Sequence, residues 1–479
     1  MQAGKSPRVT TRAFSEPHRG TPEHLPDWPK PSTTAAPIGA TKHYTTPSLV
    51  LVSKPARIFF QPDFPSFNNR TTASQAEPKV SRPSVNKSHS RFDPVSPLCL
   101  IVLSIIGVFF IYSAQHYQQS NDWIRQIVWI FVGLSAYAVV SYFDYKIFLK
   151  YSHWLYSLGL IALILVKLSP LGVTIYGAKR WLNVGVTTVQ PSELAKLACL
   201  VIGASLLTRS EIGTIKESRL TLAKMALAIS IPFLFILFQP DLGSALVIPS
   251  VVFAQLYASN LTKSFFTTAF AIFAVLVGLV LLDTHRYSEY VIAKAEAKEE
   301  QVVEGPTYWI PVLEDYQRQR IMGFIYPDRV DRRDVGWNRE QSIISVGSGG
   351  LLGKGYLNGN QAQLGYLPRA VAHNDFIFSV IAEETGFLGS VVVVTLFGLL
   401  IGNSIRIATI ARDRFGTLLV IGVATLFSIH VFVNIAMTIG LMPITGLPLP
   451  FLSHGGTFMV SCCVLQGLAQ SVYRFRKEF

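Results

Sequence analysis

The sequence predicts an all-α polytopic membrane protein of about ten transmembrane helices, with one large extracytoplasmic loop and an N-terminal extension that lacks a core. Three observations carry this. Half of the 479 residues are hydrophobic and 15% are charged, a balance typical of multi-span chains and unlike two or three soluble domains. The apolar residues fall in separated runs of roughly 18 to 29 residues, enough to cross about 30 Å of hydrocarbon at about 1.5 Å per residue and too long for strands. Finally, Lys and Arg outnumber Asp and Glu by 42 to 29, a net charge of +13, yet the excess gathers in the first 95 residues and in short loops. No basic stripe interleaved with aromatics appears, so the charge points to membrane orientation and not to nucleic acid.

Residues 1–95 are rich in Pro, Ser, Thr and basic side chains, with apolar pieces such as "SLVLV" and "RIFF" that are too short to build a core, so they read as a disordered basic extension. No apolar stretch of signal-peptide kind follows the N-terminus. Residues 96–479 form the membrane domain. Its runs place spans near 96–114, 123–143, 152–169, 190–208, 219–239, 242–259, 264–283, 375–403, 415–440 and 456–474. Alternate loops differ in charge. "DYKIFLKYSH", "TRSEIGTIKESR", "NLTKS", "RIATIARDR" and the tail "YRFRKEF" are basic; "QHYQQSND", "QPD" and "MPITGLPLPFLSHGG" are not. The positive-inside rule then sets both termini in the cytoplasm and the long loop 284–374 outside. The Lys/Glu-rich start of that loop suits an amphipathic surface helix. Cys99, Cys199, Cys462 and Cys463 all lie within apolar runs without metal-ligand spacing, so they read as small core residues and not as disulfides or zinc ligands.

Four polar clusters fall on the outer side of this topology. In "GAKRWLNVGVTTVQPSELAK", Pro191 suits a helix N-terminus, and Glu193 and Lys196 share one helical face three residues apart; a structural ion pair and a polar cavity are both open readings. Lys179 and Arg180 in the same stretch are basic residues on the wrong side; an anionic ligand and a tolerated local exception to the charge rule are both open readings. "FQPDLGSA" puts Asp241 in a tight turn, as a cap or as part of a site. "YQRQRIMGF" and "GSGGLLGKG" bring Arg318, Arg320 and Lys354 near glycines whose amides can meet phosphate oxygens, though without the spacing of a nucleotide loop. In "AVAHNDFIFSVIAEETG", Asp375 stands at the head of a span; a carboxylate in the first helical turn that favours the helix dipole and a general base whose pKa partial desolvation would raise are both open readings. Glu383 and Glu384 then lie roughly 12 to 14 Å deeper, facing the bundle interior as structural partners.

Taken in order, "GAKRWL", "QPSELAK", "QPDLGSA", "YQRQRI", "SGGLLGKG", "HNDFIFSVIAEETGFLG" and "GLPLPFLSHGG" resemble the SEDS family of shape, elongation, division and sporulation proteins, its rod-shape members more than its division members. The resemblance spans about residues 96–479. It implies ten spans and a peptidoglycan glycosyltransferase that polymerises lipid II onto a lipid-linked glycan strand. It also implies a class B penicillin-binding protein, the crosslinking transpeptidase, as partner beside other membrane proteins of the elongation complex. The expected setting is the bacterial cytoplasmic membrane. By position, the family's essential aspartate is Asp375 and its intramembrane ion pair is Glu193 with Lys196. The substrate-binding set becomes Lys179, Arg180, Arg320, Lys354, Gln361, His373 and Ser453. Two departures stand out: Pro368 is followed by Arg369 where the family has Glu, with "HND" in place of His-Thr-Asp, and charged residues are inserted around 290–305.

The implied reaction removes a proton from the GlcNAc 4-hydroxyl of the acceptor and expels a lipid pyrophosphate from the donor. Asp375 would be the base. Arg180, Arg320 and Lys354 would meet the leaving charge, directly or with a divalent cation such as Mg or Mn. The competing readings are a flippase that moves lipid II past the same buried charges, a scaffold for the transpeptidase, and a division-specific polymerase.

Overall fold

The computed structural model describes residues 92–116, 120–175, 178–185, 187–239, 241–296, 310, 313, 315–329 and 335–476. The expected extension lies outside the described residues up to position 91, as does most of the charged insertion. Within them the order is α1 (Val95–Gln115), α2 (Asp122–Tyr142), α3 (Lys146–Lys150), α4 (Ser152–Leu168), β1 (Gly172–Ile175), β2 (Ala178–Asn183), β3 (Thr188–Val189), α5 (Pro191–Thr208), α6 (Ile215–Leu237), α7 (Leu242–Ala258), α8 (Lys263–Glu296), α9 (Asp315–Ile325), α10 (Val335–Ser348), α11 (Asn360–Gln363), α12 (Arg369–Ala372), α13 (Ile377–Thr409), α14 (Arg414–Thr438) and α15 (Gly456–Arg474).

Each expected span has its helix. Seven of them are long and apolar enough to cross a membrane unaided, and α4 and α7 are shorter apolar helices. Helix α15 is more polar, and most of its residues are buried against its neighbours. The chain is therefore a multi-pass membrane protein. Local chemistry starts several helices: Pro191 in the first turn of α5, a reciprocal Thr214/Glu217 capping box on α6, and the side chains of Asp241 and Asp413 accepting from Ser244 N and Gly416 N at the heads of α7 and α14. Helices α5 and α14 are buried along most of their lengths and form the centre. All four cysteines are buried and unpaired.

The structure departs from the expected outline in three places. The segment after α4 folds into a three-stranded antiparallel sheet in the order β1-β2-β3, with Leu182 opposite both Gly172 and Val189. Its strands of two to six residues carry too few positions for alternation to register. Secondly, α8 does not stop at residue 283. It runs on to Glu296, so the Lys/Glu-rich start of the loop continues the span. There the buried Asp283 receives Arg318 Nε of α9 at 2.9 Å, which fixes α9 to the helix.

The third difference concerns α13. Gly386 breaks the helix with φ 67° and ψ −161°, a region that side-chain-bearing residues scarcely enter. Before it, residues 377–384 are all buried; directly after it, Phe387 and Leu388 are 62% and 50% exposed. The lipid-facing surface thus begins at residue 387, not at 375, and the 23 residues 387–409 suffice to span at about 35 Å. Glu383 and Glu384 belong to the packed segment ahead of the crossing. A Cβ at Gly386 would also overlap Gly353 and Leu351. Gly386→Ala is accordingly expected to lower stability by about 2 kcal/mol or more, seen as a lower Tm in detergent; an unchanged Tm would show that the bend is not held by these contacts.

Candidate active site

Asp375 lies in the turn between α12 and α13, at the end of the bundle where the sheet, α9 and the segment before α15 meet. Its backbone is held firmly. Asn434 Nδ2 on α14 donates to the Asp375 carbonyl at 2.8 Å and to the Leu447 carbonyl at 2.7 Å. Ser453 Oγ donates to the Asn374 carbonyl at 2.6 Å while accepting from Leu449 N at 2.7 Å, and His454 N donates to the His373 carbonyl at 3.0 Å. Residues 373–375 are therefore tied by main-chain bonds to the 447–454 segment. The carboxylate is left over: among the described residues it accepts no hydrogen bond.

Gly446 makes room for that carboxylate. With φ +74°, its absent Cβ would lie 3.4 Å from Asp375 Oδ2 and 3.8 Å from Arg320 Nη1, so acid and guanidinium share the space above it. Arg320 is aimed by its Nη1 bond to the Ile444 carbonyl at 2.9 Å. From the other side, β2 supplies Arg180, whose Nε donates to the Gln239 carbonyl at 2.8 Å. Asp241 completes the ring, its Oδ2 accepting from Gln190 Nε2 at 3.2 Å. Asp375 keeps some contact with solvent but is packed by protein on most sides. That burial pushes its carboxyl up to about 6; the positive field of Arg320 opposes the rise, Asp241 adds to it, and Arg180 opposes it more weakly.

The remaining expected residues divide. Lys179 Nζ donates to the Lys167 and Ser169 carbonyls at the end of α4, at 3.3 and 3.1 Å. Ser453 is 1% exposed and engaged in holding the loop. His373 is buried, with Nε2 4.0 Å from Asp122 and its ring 5.4 Å from that of His454, whose own pKa burial lowers to about 4, with the charge of His373 in second place. Lys354 and Gln361 lie elsewhere: Lys354 Nζ meets Glu383 Oε1 at 2.6 Å and Gln361 N donates to it at 3.2 Å. Ser345 Oγ donates to Glu383 at 3.0 Å, and Ser113 Oγ to Glu384, so both buried acids are partnered where the loop packs on α13. Glu193 and Lys196 form an ion pair of 2.8 Å on α5, both almost fully buried. The side chain of Arg369 lies outside the described residues.

Sequence reasoning passed over Asn434, Gln190 and Gly446. The signal for Asn434 was available, because an amide inside an apolar run has to find partners. Among the described residues no three His, Cys, Asp or Glu side chains converge as a metal site. A divalent cation here would have Asp375 and the substrate phosphates as ligands, and would supply charge neutralisation.

Comparison with known proteins shows the family and the fold. Residues 94–478 match the family FTSW_RODA_SPOVE, described as cell cycle protein. The chain is 31% identical over 386 residues to the peptidoglycan glycosyltransferase MrdB of Escherichia coli (strain K12), covering 80% of this chain and 94% of that one. It is 31% identical over 430 residues to the peptidoglycan glycosyltransferase RodA of Treponema pallidum (strain Nichols), covering 80% and 98%. With the probable peptidoglycan glycosyltransferase FtsW of Trichlorobacter lovleyi the identity is 30% over 395 residues, covering 80% and 93%. Among solved structures, a chain from work on the structural coordination of polymerization and crosslinking by a peptidoglycan synthase complex superposes with a TM-score of 0.63 at 26% identity, covering 81% and 99%. A mutant of the rod shape determining protein RodA of Thermus thermophilus gives 0.56 at 25% identity, covering 81% and 99%.

Proposed function

The chain belongs to the FTSW_RODA_SPOVE family of cell cycle proteins and is a peptidoglycan glycosyltransferase, and we propose that it polymerises lipid II for cell-wall elongation with Asp375 as general base. The observation that carries the reading is the Asp375 carboxylate, free of hydrogen bonds from the described residues and sharing the space over Gly446 with Arg320. With a pKa of about 6 it is ionised at neutral pH yet more basic than an ordinary aspartate, the state general base catalysis calls for.

In the reaction, Asp375 takes the proton of the acceptor's GlcNAc 4-hydroxyl as that oxygen bonds to the donor's anomeric carbon. The bond from that carbon to the phosphate oxygen breaks, and the lipid pyrophosphate leaves with the electron pair. Arg320 and Arg180 meet the charge that develops there in this reading. One base suffices, because the leaving group is already a weak base. Both substrates keep their lipid tails in the bilayer, which accounts for a site at the end of the bundle. The site end faces the outside of the cytoplasmic membrane in this reading, with both termini in the cytoplasm and a class B penicillin-binding protein as crosslinking partner.

Incubation of the purified chain with lipid II, with and without the transpeptidase, tests the activity: long glycan strands support it, and lipid II movement across vesicles without polymer would replace it by transport. Arg320→Ala should lower kcat by about 10²- to 10³-fold, the loss seen when a donor to a developing anion is removed, with Arg320→Lys between it and the parent. A kcat near that of the parent in Arg320→Ala would remove Arg320 from the mechanism.

A further inference from the structure

The buried ion pair on α5 is joined to the loop carrying Asp375 through a side chain not yet placed in the site. His430 lies on α14, fully buried. Its Nε2 is 3.2 Å from Lys196 Nζ, and its Nδ1 is 3.1 Å from the Pro448 carbonyl. The chemistry of the two neighbours settles the proton. An ammonium only donates and a carbonyl only accepts, so Nε2 accepts from Lys196 and Nδ1–H donates to Pro448, which makes the imidazole neutral. The ring is held from the side by Phe458, 5.1 Å away between centroids, and the same Phe458 ring lies 5.6 Å from Lys196 Nζ.

Pro448 follows Leu447, whose carbonyl shares Asn434 Nδ2 with the carbonyl of Asp375. His430 and Asn434 are four residues apart, so α14 presents both on one face. The connection runs from Glu193 to Lys196 at 2.8 Å, to His430, to Pro448 and Leu447, to Asn434 and to Asp375, without a gap longer than a hydrogen bond outside the covalent steps. Resting on the base assignment above, we propose that His430 is a positioning residue: as a neutral bridge between Lys196 and Pro448, it sets the 447–448 segment on which the placement of Asp375 depends.

A glutamine can reproduce this bridge, since its amide oxygen accepts and its NH2 donates with nearly the separation of the two ring nitrogens. A leucine can do neither. The test is steady-state lipid II polymerisation by the full-length chain with its transpeptidase, comparing parent, His430→Gln and His430→Leu, with binding of lipid II measured on the same preparations. The expected result is a kcat 10- to 100-fold lower in His430→Leu, the loss a displacement of about 1 Å can cause, with KM and lipid II binding within about twofold of the parent and with His430→Gln restoring most of the rate. Should His430→Leu not accumulate, His430→Asn serves instead, because its shorter amide cannot reach both partners at once. A parent-like kcat in either disrupted variant, or a His430→Gln as slow as His430→Leu, overturns the proposal. A parent that binds lipid II but makes no polymer fails the base assignment first, which is a different outcome.

Discussion

Asp375→Asn should abolish most polymerisation, by about 10²-fold or more, the contribution typical of a lost general base, and should at the same time make the protein more stable at neutral pH. The second half follows from the sign of the pKa shift. The folded value of about 6 lies above the unfolded value of about 3.9. Between those two pH values the folded state holds a proton that the unfolded state has released, so stability falls as pH rises from about 4 to about 6 and stays lower beyond it. Asparagine removes that burden, which is on the order of 3 kcal/mol as an upper figure. The parent's activity should rise with pH through about 6, because only ionised Asp375 accepts a proton. The checks are glycan product on a gel, lipid II binding, and Tm in detergent at pH 5 and pH 7.5. Asp375→Asn that still makes long strands at the parent rate would falsify the base assignment, and a loss of Tm with activity kept would make the residue structural.

Lys196→Met should be the most destabilising single change in the bundle. It leaves Glu193 nearly without solvent and without its counter-charge, and breaking such a pair costs about 3 to 5 kcal/mol. It also removes the donor to His430 Nε2. Replacing both members, Glu193→Leu with Lys196→Met, should recover most of the stability, since an apolar pair of similar volume needs no compensation. Unfolding by denaturant in detergent measures the parent and both variants. A double variant no more stable than Lys196→Met would mean that Lys196 acts through partners other than Glu193.

The ten helices were legible because hydropathy reads length directly, and a run that spans lipid is also a run that forms a helix. It could not tell lipid from protein as the apolar surroundings, which is why the eighth span was placed twelve residues too early. Gly386 beside two glutamates was the available sign of the break. Asp375, Arg180 and Arg320 were visible as charges in costly places, and the fold gathers them at one end. Lys354 looked equivalent in the sequence. Nothing in its spacing shows that its partner is Glu383, 29 residues later. Asn434 and His430 were hidden for a related reason: a single polar residue in an apolar run declares that it needs partners without saying which.

The bend at Gly386 also bears on how the chain enters the bilayer as it is made. The insertion machinery weighs a segment by its own residues, charging roughly 2.5 to 3.5 kcal/mol for an acidic side chain at the middle of a helix. Residues 387–409 carry one charged side chain, Arg406, near their far end, and can be committed to the lipid on their own merits. Glu383 and Glu384 never have to make that transfer. In the folded chain Lys354, Ser345 and Ser113 partner them, so the acids are matched by protein groups ahead of the segment that the lipid has to accept.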